Sequence, residues 1–538
     1  MKLFSPRTAL AATALVTALT LSACSSSSAQ SDATGEPQEG GTLTFALGND
    51  PLSFSPAAGG NGNDTWYVNR QLYESLVYLN PDTTEVEPWL ATSWEVNDDA
   101  TEFTFHLRDD VTFSDGSALT AQTVVANFDD LKAAGANSNA VADLRTYAGS
   151  EAVDEHTVVI RFSEPNAAFL TTASSVTFGI VSEATLEIPF TERNSGENVS
   201  GSGPFTLASY TKDSQVTLEK REGYSWAPES FDNRGEAHLD SIEFKIVPES
   251  GNRTGGLSSG QIDVAGGISP NDIATVEATN SIVSRANPGD VFGLYFNFQQ
   301  PEFEDQRVRE AVALAVDAQE IRDGALSDQF NVATSPLSST TKDYIDVSSD
   351  IPAHDVEKAK ELLDAAGWVE GADGTREKDG EKLEFRITYI NNFGPNADII
   401  ALLQEQLRAV GIASTQLTGT VPEFQSSIST REYEIAWRNL SRVDGDVLRA
   451  DFGDVGSETN YPLTDPDLLA RLDAQAQIGN EAERTAALQS IQRDLVAGSY
   501  FIPVHELTTV LGVSEDVDGV TLGADSRLDL LVDAQKTE

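Results

Sequence analysis

The stretch from Glu87 to Val125, EPWLATSWEVNDDATEFTFHLRDDVTFSDGSALTAQTVV, is where the sequence first declares its architecture. Inside it Phe103, Phe105 and Leu107 alternate with polar residues, the period-two pattern of a strand with one buried face. His106 falls on the polar side of that strand and reads as a solvated residue. Working outward, the same alternation recurs at Ile242-Phe244-Ile246, at Phe292-Leu294-Phe296-Phe298 and at Leu383-Phe385-Ile387-Tyr389. Between these strands lie helical patterns. In VREAVALAVD, Val308, Ala311, Val312, Ala315 and Val316 share one face. DVEKAKELLDAAGW and DIIALLQEQLRAVGI place Gly367 and Gly411 where a helix closes with a left-handed residue. RTAALQSIQRDLVAG adds a further helix. Loops rich in Gly, Pro, Asn and Ser are expected at 55–65, 192–204 and 247–271. The chain reads as a mixed α/β body without internal repeats.

Composition narrows the chemistry. The 85 acidic residues outnumber 35 basic ones, a formal charge of −50 that repels nucleic acid and anionic lipid headgroups. A single cysteine, Cys24, excludes internal disulfides and any zinc site built on several thiolates. The five histidines, His106, His156, His238, His354 and His505, are scattered with no i, i+3 or i+4 pair. No cofactor and no protein-ligated metal is therefore expected. After the first two dozen residues no apolar run approaches the ~18 that would cross a bilayer, so the body is globular and large enough for roughly two to four domains.

The N-terminus reads as an address. Lys2 and Arg7 precede a short uncharged run, Thr8 to Leu21, of signal-peptide length. Leu21-Ser22-Ala23-Cys24 then resembles the bacterial lipobox, which implies a signal peptide over 1–23 and a lipid carried by Cys24. Lipid chains contribute about 0.8 kcal/mol per buried CH₂, and two or more anchor stably. Residues 24–40, small and polar, suit a flexible tether. The expected location is the outer face of the bacterial cytoplasmic membrane, which the body reaches through the lipid alone.

The opening stretch also carries a resemblance. It is similar to the signature region of extracellular solute-binding proteins of the dipeptide, oligopeptide and nickel class, which serve ABC importers. Further segments match the same family in order: LYESLVYLNP (72–81), GSGPFTLASY (201–210), VTLEKREGYSWAP (216–228), IEFKIVPESGNRTGGLSSGQIDVA (242–265) and LYFNFQQPEFEDQRVREAVALAVD (294–317). The resemblance spans about residues 41 to 510. It implies a two-lobed α/β fold of the type II periplasmic-binding-protein kind, with a hinge and an extra inserted domain. Lobe I is expected over 41–84, 199–289 and 500–538, the inserted domain over 85–198, and lobe II over 290–499. VFGLYFNF and the segment at Tyr500-Phe501-Ile502-Pro503 are expected to carry the two crossings.

The resemblance further implies a monomer that captures a peptide between its lobes and passes it to permease subunits driven by ATPase subunits. The lobes close because only the closed form touches the ligand from both sides. In such proteins YEIAWRNLSRVDGDVLRADF (433–452) corresponds to a segment with a tryptophan and an amine-binding aspartate. Here Trp437 is kept, while Arg438, Asn439, Arg442 and Asp444 replace what usually follows. Asp444 or Asp446 remains available for an ammonium, and Arg438 and Arg442 suit carboxylates, unless both arginines pair with neighbours such as Asp444 and Glu434. Asn63, Trp66 and Tyr67, expected in a Gly/Asn-rich loop, and Phe178 and Gly203 complete the expected ligand site.

Other readings are weaker. GLSSG (256–260) has the form G-x-S-x-G, but a nucleophile elbow needs a strand before it and a helix after it. The resemblance puts this segment in a helix, so no enzyme activity is expected. GSGPF lacks the Lys-Ser/Thr of a phosphate loop. Within the binding class the alternative ligand is nickel or an anionic metal chelate clamped by Arg438 and Arg442.

Overall fold

The computed structural model describes residues 38–58, 62–453, 461 and 463–537. Cys24, the signal peptide and most of the tether lie outside the described residues. Three sheets organise the rest. The first runs in the order Ser281–Ala286, Thr508–Val513, Val264–Gly266, Thr42–Leu47, Ser241–Ile246, Gln215–Lys220, Phe205–Thr211. Its centre is parallel, with Phe45 opposite both Phe244 and Val264. Central strands of such sheets are covered on both sides, and Leu43, Phe45 and Phe244 are fully buried. The second sheet has the order Ala413–Gly419, Glu384–Ile390, Ile435–Ser441, Gly289–Phe296, Phe501–His505. The third is antiparallel: Ala91–Val96, Glu102–Leu107, Thr157–Phe162, Tyr147–Asp154.

Local pattern and tertiary position agree at several elements. Phe103, Phe105 and Leu107 face the core while Thr104 and His106 are only half-buried. Helix Ala121–Ala134, capped by Thr120 accepting from the Thr123 amide, lays Val124, Phe128 and Leu131 against the inserted domain's sheet. Helices Val356–Ala365 and Asn396–Ala409 end as expected, with Gly367 and Gly411 at φ +89° and +86°. One alternation misleads. Gly289–Phe296 is buried on both faces, because Phe296 packs on Phe303 while Tyr295 packs on Phe452 from the other side. The loop expected at 247–271 is in fact helix Ser250–Ser258 and strand Val264–Gly266.

The crossings lie beside the expected positions rather than at them. VFGLYFNF and Phe501–His505 pair with each other inside the second sheet, so neither is free to hinge. The chain leaves the first sheet after Ala286 and enters the second at Gly289; it returns between His505 and Thr508. The two connectors touch: the Asn287 amide donates to the Leu507 carbonyl at 2.7 Å, and Thr509 Oγ1 donates to Asn287 Oδ1 at 3.0 Å. The second sheet therefore includes Phe501–His505, beyond residue 499. The inserted domain packs on lobe I through Tyr224, Trp226, Leu530 and Val532. It also reaches lobe II, where the Ala167 amide donates to the Ala476 carbonyl at 3.2 Å.

Candidate functional site

Where the three parts meet lies a cavity of about 420 Å³, partly open to solvent. Lobe I contributes Trp66, from the first turn of helix Asn63–Leu72, with Asp525 and Arg527 from the C-terminal segment. The inserted domain contributes two loops, around Asp143 and around Glu164. Lobe II contributes Pro288 and the turn from Leu440 to Asp446, which links strand Ile435–Ser441 to helix Val447–Phe452. Loops at the ends of strands, fixed by rigid sheets, are where ligand contacts are expected.

Charge dominates the lining, and most of it is spent internally. Arg449 makes a two-point contact with Asp446, both bonds 2.8 Å. Arg484, from helix Glu481–Ala497, grips Asp444 through Nη1 at 3.0 Å and Nη2 at 2.5 Å. Burial works against that carboxylate's charge, but Arg484 outweighs it and holds Asp444 below its ordinary range. Arg527 pairs with Asp525 at 3.3 Å, donates to Asn63 Oδ1 at 3.2 Å and stacks 5.3 Å from the Trp66 ring.

Four charged side chains of the lining have no ion-pair partner among the described residues: Arg145 and Glu164, both exposed, and the facing pair Arg442 and Asp143. Among the described residues Arg442 has no carboxylate partner; its Nη1 donates only to the Ser441 carbonyl at 3.1 Å. The Asp143 carboxyl accepts no hydrogen bond from them. Burial pushes it above its ordinary value, Arg442 draws it down across the cavity, and Asp446 pushes it up.

The structure sorts the expected residues. Trp66, Arg442 and Asp444 line the cavity, and Asn63 stands behind Arg527. Asp444, however, is closed off by Arg484. Tyr67 is core, edge-on to Phe45 at 5.7 Å. Phe178 stacks on Phe128 at 5.8 Å inside the inserted domain, while its neighbour Thr177 reaches the cavity. Gly203 is a packing residue, with its amide bonded to the Leu72 carbonyl at 3.0 Å. Trp437 is buried in lobe II, its Nε1 donating to Asn396 Oδ1 at 2.9 Å and its ring 5.3 Å from Phe292. Arg438 turns away to Asp451 at 3.3 Å, and Asn439, half-buried, does not line the cavity. Glu434 pairs with Arg386, so neither arginine takes the partner the sequence offers. Asp143, Glu164, Asp525 and Arg527 were not legible, since no local pattern marks a loop residue that faces another domain.

Ser258 of GLSSG lies in a helix, with Oγ donating to the Thr254 carbonyl at 2.9 Å. No strand leads into it, so the elbow is absent. Among the described residues no three His, Cys, Asp or Glu side chains gather as metal ligands, and no helix is long and apolar enough to cross a membrane.

Residues 85–449 match the family model of bacterial extracellular solute-binding proteins, family 5, middle region. The chain belongs to that family. This family 5 protein is accordingly a solute-binding component of ABC import, and a binder rather than an enzyme. It is 28% identical over 496 residues to a probable D,D-dipeptide-binding periplasmic protein of Escherichia coli, covering 89% of this chain and 90% of that one. It is 29% identical over 399 residues to heme-binding protein A of Haemophilus influenzae, covering 69% and 70%. Its fold matches the substrate-binding protein CtaP of Listeria monocytogenes with a TM-score of 0.79 at 24% identity, over 93% of this chain and all of the other. The type II binding-protein fold is thus established for the family 5 chain.

Proposed function

We propose that this protein captures short peptides in the cavity between its lobes and delivers them to permease and ATPase subunits, as a monomer held to the outer face of the cytoplasmic membrane by lipid on Cys24. The observation that carries the ligand class is the cavity between domains with a cation and an acid, Arg442 and Asp143, facing each other from different domains without ion-pair partners among the described residues. Asp143 is half-buried and Arg442 exposed at the cavity wall, and a ligand bearing both charges can pair with each where a ligand bearing one cannot. At about 420 Å³ the space lies at the small end of ligand pockets, which suits a short zwitterion. The names of several relatives, dipeptide-binding among them, point the same way.

The metal-chelate alternative fits less well. The lining holds four arginines, at 145, 442, 449 and 527, against five acids, at 143, 164, 444, 446 and 525. An anionic chelate gains little from such a surround. Native mass spectrometry of the full chain, purified in mild detergent from its own host, tests the choice. A ladder of short-peptide masses is expected; one discrete mass with a metal isotope pattern would replace the peptide reading with the chelate.

A further inference from the structure

The segment 433–452 would, by family resemblance, hold the ligand's ammonium on an aspartate. Its three aspartates are all engaged elsewhere: Asp444 by Arg484, Asp446 by Arg449 and by Gln475, Asp451 by Arg438. That leaves lobe II presenting a cation, Arg442, where an acid is expected. Facing it from the inserted domain is Asp143, whose main chain is fixed by Asn166 Nδ2 donating to its carbonyl at 3.5 Å and whose carboxyl is left without a donor among the described residues. Glu164, the other unpaired acid of the lining, is exposed.

Building on the peptide reading above, we propose that the ligand polarity is reversed. The peptide's ammonium binds Asp143 on the inserted domain, and its carboxylate binds Arg442 on lobe II. The arrangement makes the inserted domain a direct contributor to ligand recognition rather than a spacer. It also gives closure a cause. The carboxyl and the guanidinium stand on different domains, so a zwitterion laid between them pairs with both only when the inserted domain and lobe II approach. Asp446 stands near Asp143, but its charge is taken up by Arg449 and it stays with lobe II as a structural acid. Arg527 is the remaining cation on the lobe I side, and Asp525 and Asn63 already occupy it.

Capped ligands test the assignment. Affinities of the full chain for dialanine, N-acetyl-dialanine and dialanine amide, or for the best dipeptide of a panel, are measured by calorimetry. Wild type should lose at least about tenfold in affinity on either capping. Asp143→Asn should bind the free-amine and N-acetyl forms within a few-fold of each other, while still rejecting the amide. Arg442→Gln should show the converse: indifference to the amide and continued rejection of the N-acetyl form. A wild type that binds peptides, with Asp143→Asn keeping the full preference for the free amine, overturns the reversed polarity and leaves the peptide reading standing. Exchanged phenotypes between the two variants overturn it as well. A wild type that binds no peptide of the panel removes the peptide reading itself, and the polarity with it. Melting temperatures of both variants confirm that loss of discrimination does not reflect unfolding.

Discussion

Arg438 lies 3.3 Å from Asp451 in the interior of lobe II, with its guanidinium 5.7 Å from the Tyr295 ring and 5.6 Å from the Tyr461 ring. Next to them Asp290 accepts from the Tyr295 hydroxyl and the Leu440 amide. Burial, and then the charge of Asp451, push Asp290 far above the usual carboxylate range, while Arg438 draws it down. Removing the cation leaves a buried charge uncompensated. Arg438→Ala is expected to lose about 3–5 kcal/mol of stability in urea unfolding. A loss under about 1 kcal/mol would show that Arg438 is dispensable to the fold and return it to the list of ligand contacts.

Four residues on, Arg442 behaves differently. It is exposed at the cavity wall and, among the described residues, donates only to the Ser441 and Pro288 carbonyls. Arg442→Ala should keep stability within about 0.5 kcal/mol, as surface changes do. It should weaken peptide binding at least tenfold, ~1.4 kcal/mol, in calorimetry. Unchanged affinity would make it a solvated surface residue.

Gly203 is expected to be a packing residue, and substitution checks it. A Cβ there would sit 2.4 Å from the Gln71 carbonyl oxygen and 2.6 Å from the Leu72 carbonyl carbon, both backbone atoms that cannot swing away. Gly203→Ala is expected to cost about 3 kcal/mol or more. Thermal unfolding reads this directly, and an unshifted midpoint would mean the loop can leave the helix freely.

His505 predicts an acid limb of stability. It is buried 4.9 Å from Phe292 and 5.7 Å from Trp437, with Nδ1 donating to the Glu506 carbonyl at 3.0 Å. Burial pushes its imidazole down to about 4 from an ordinary 6.5. Between those values the unfolded chain binds the proton and the folded chain does not. Stability from this group is complete above pH 6.5 and falls as pH drops to about 4, by up to about 3 kcal/mol. His505→Leu should therefore close on wild type by a comparable amount between pH 7 and pH 4 in urea melts. A pH-independent gap between the two proteins would contradict it.

Much of the fold was legible because its signals are short-range. The alternation of Phe103, Phe105 and Leu107 and the glycines at 367 and 411 each act within one element, and the structure reproduces them. The crossings were misplaced by a few residues because strand pairing, not local pattern, decides where a connector begins; Phe501–His505 looks like a linker until it is seen beside Phe292–Tyr295.

The sequence by itself determined the α/β class and the family, since hydrophobic period, capping and ordered motifs are properties of neighbouring residues. Only the tertiary structure decided which charges are left for a ligand. Arg438 and Arg442 share one segment and look alike there, yet one is quenched by Asp451 and the other faces Asp143, some 300 residues away in the chain. Whether a charge is available depends on what burial places against it, and that juxtaposition is made by packing three domains together rather than by any stretch of residues.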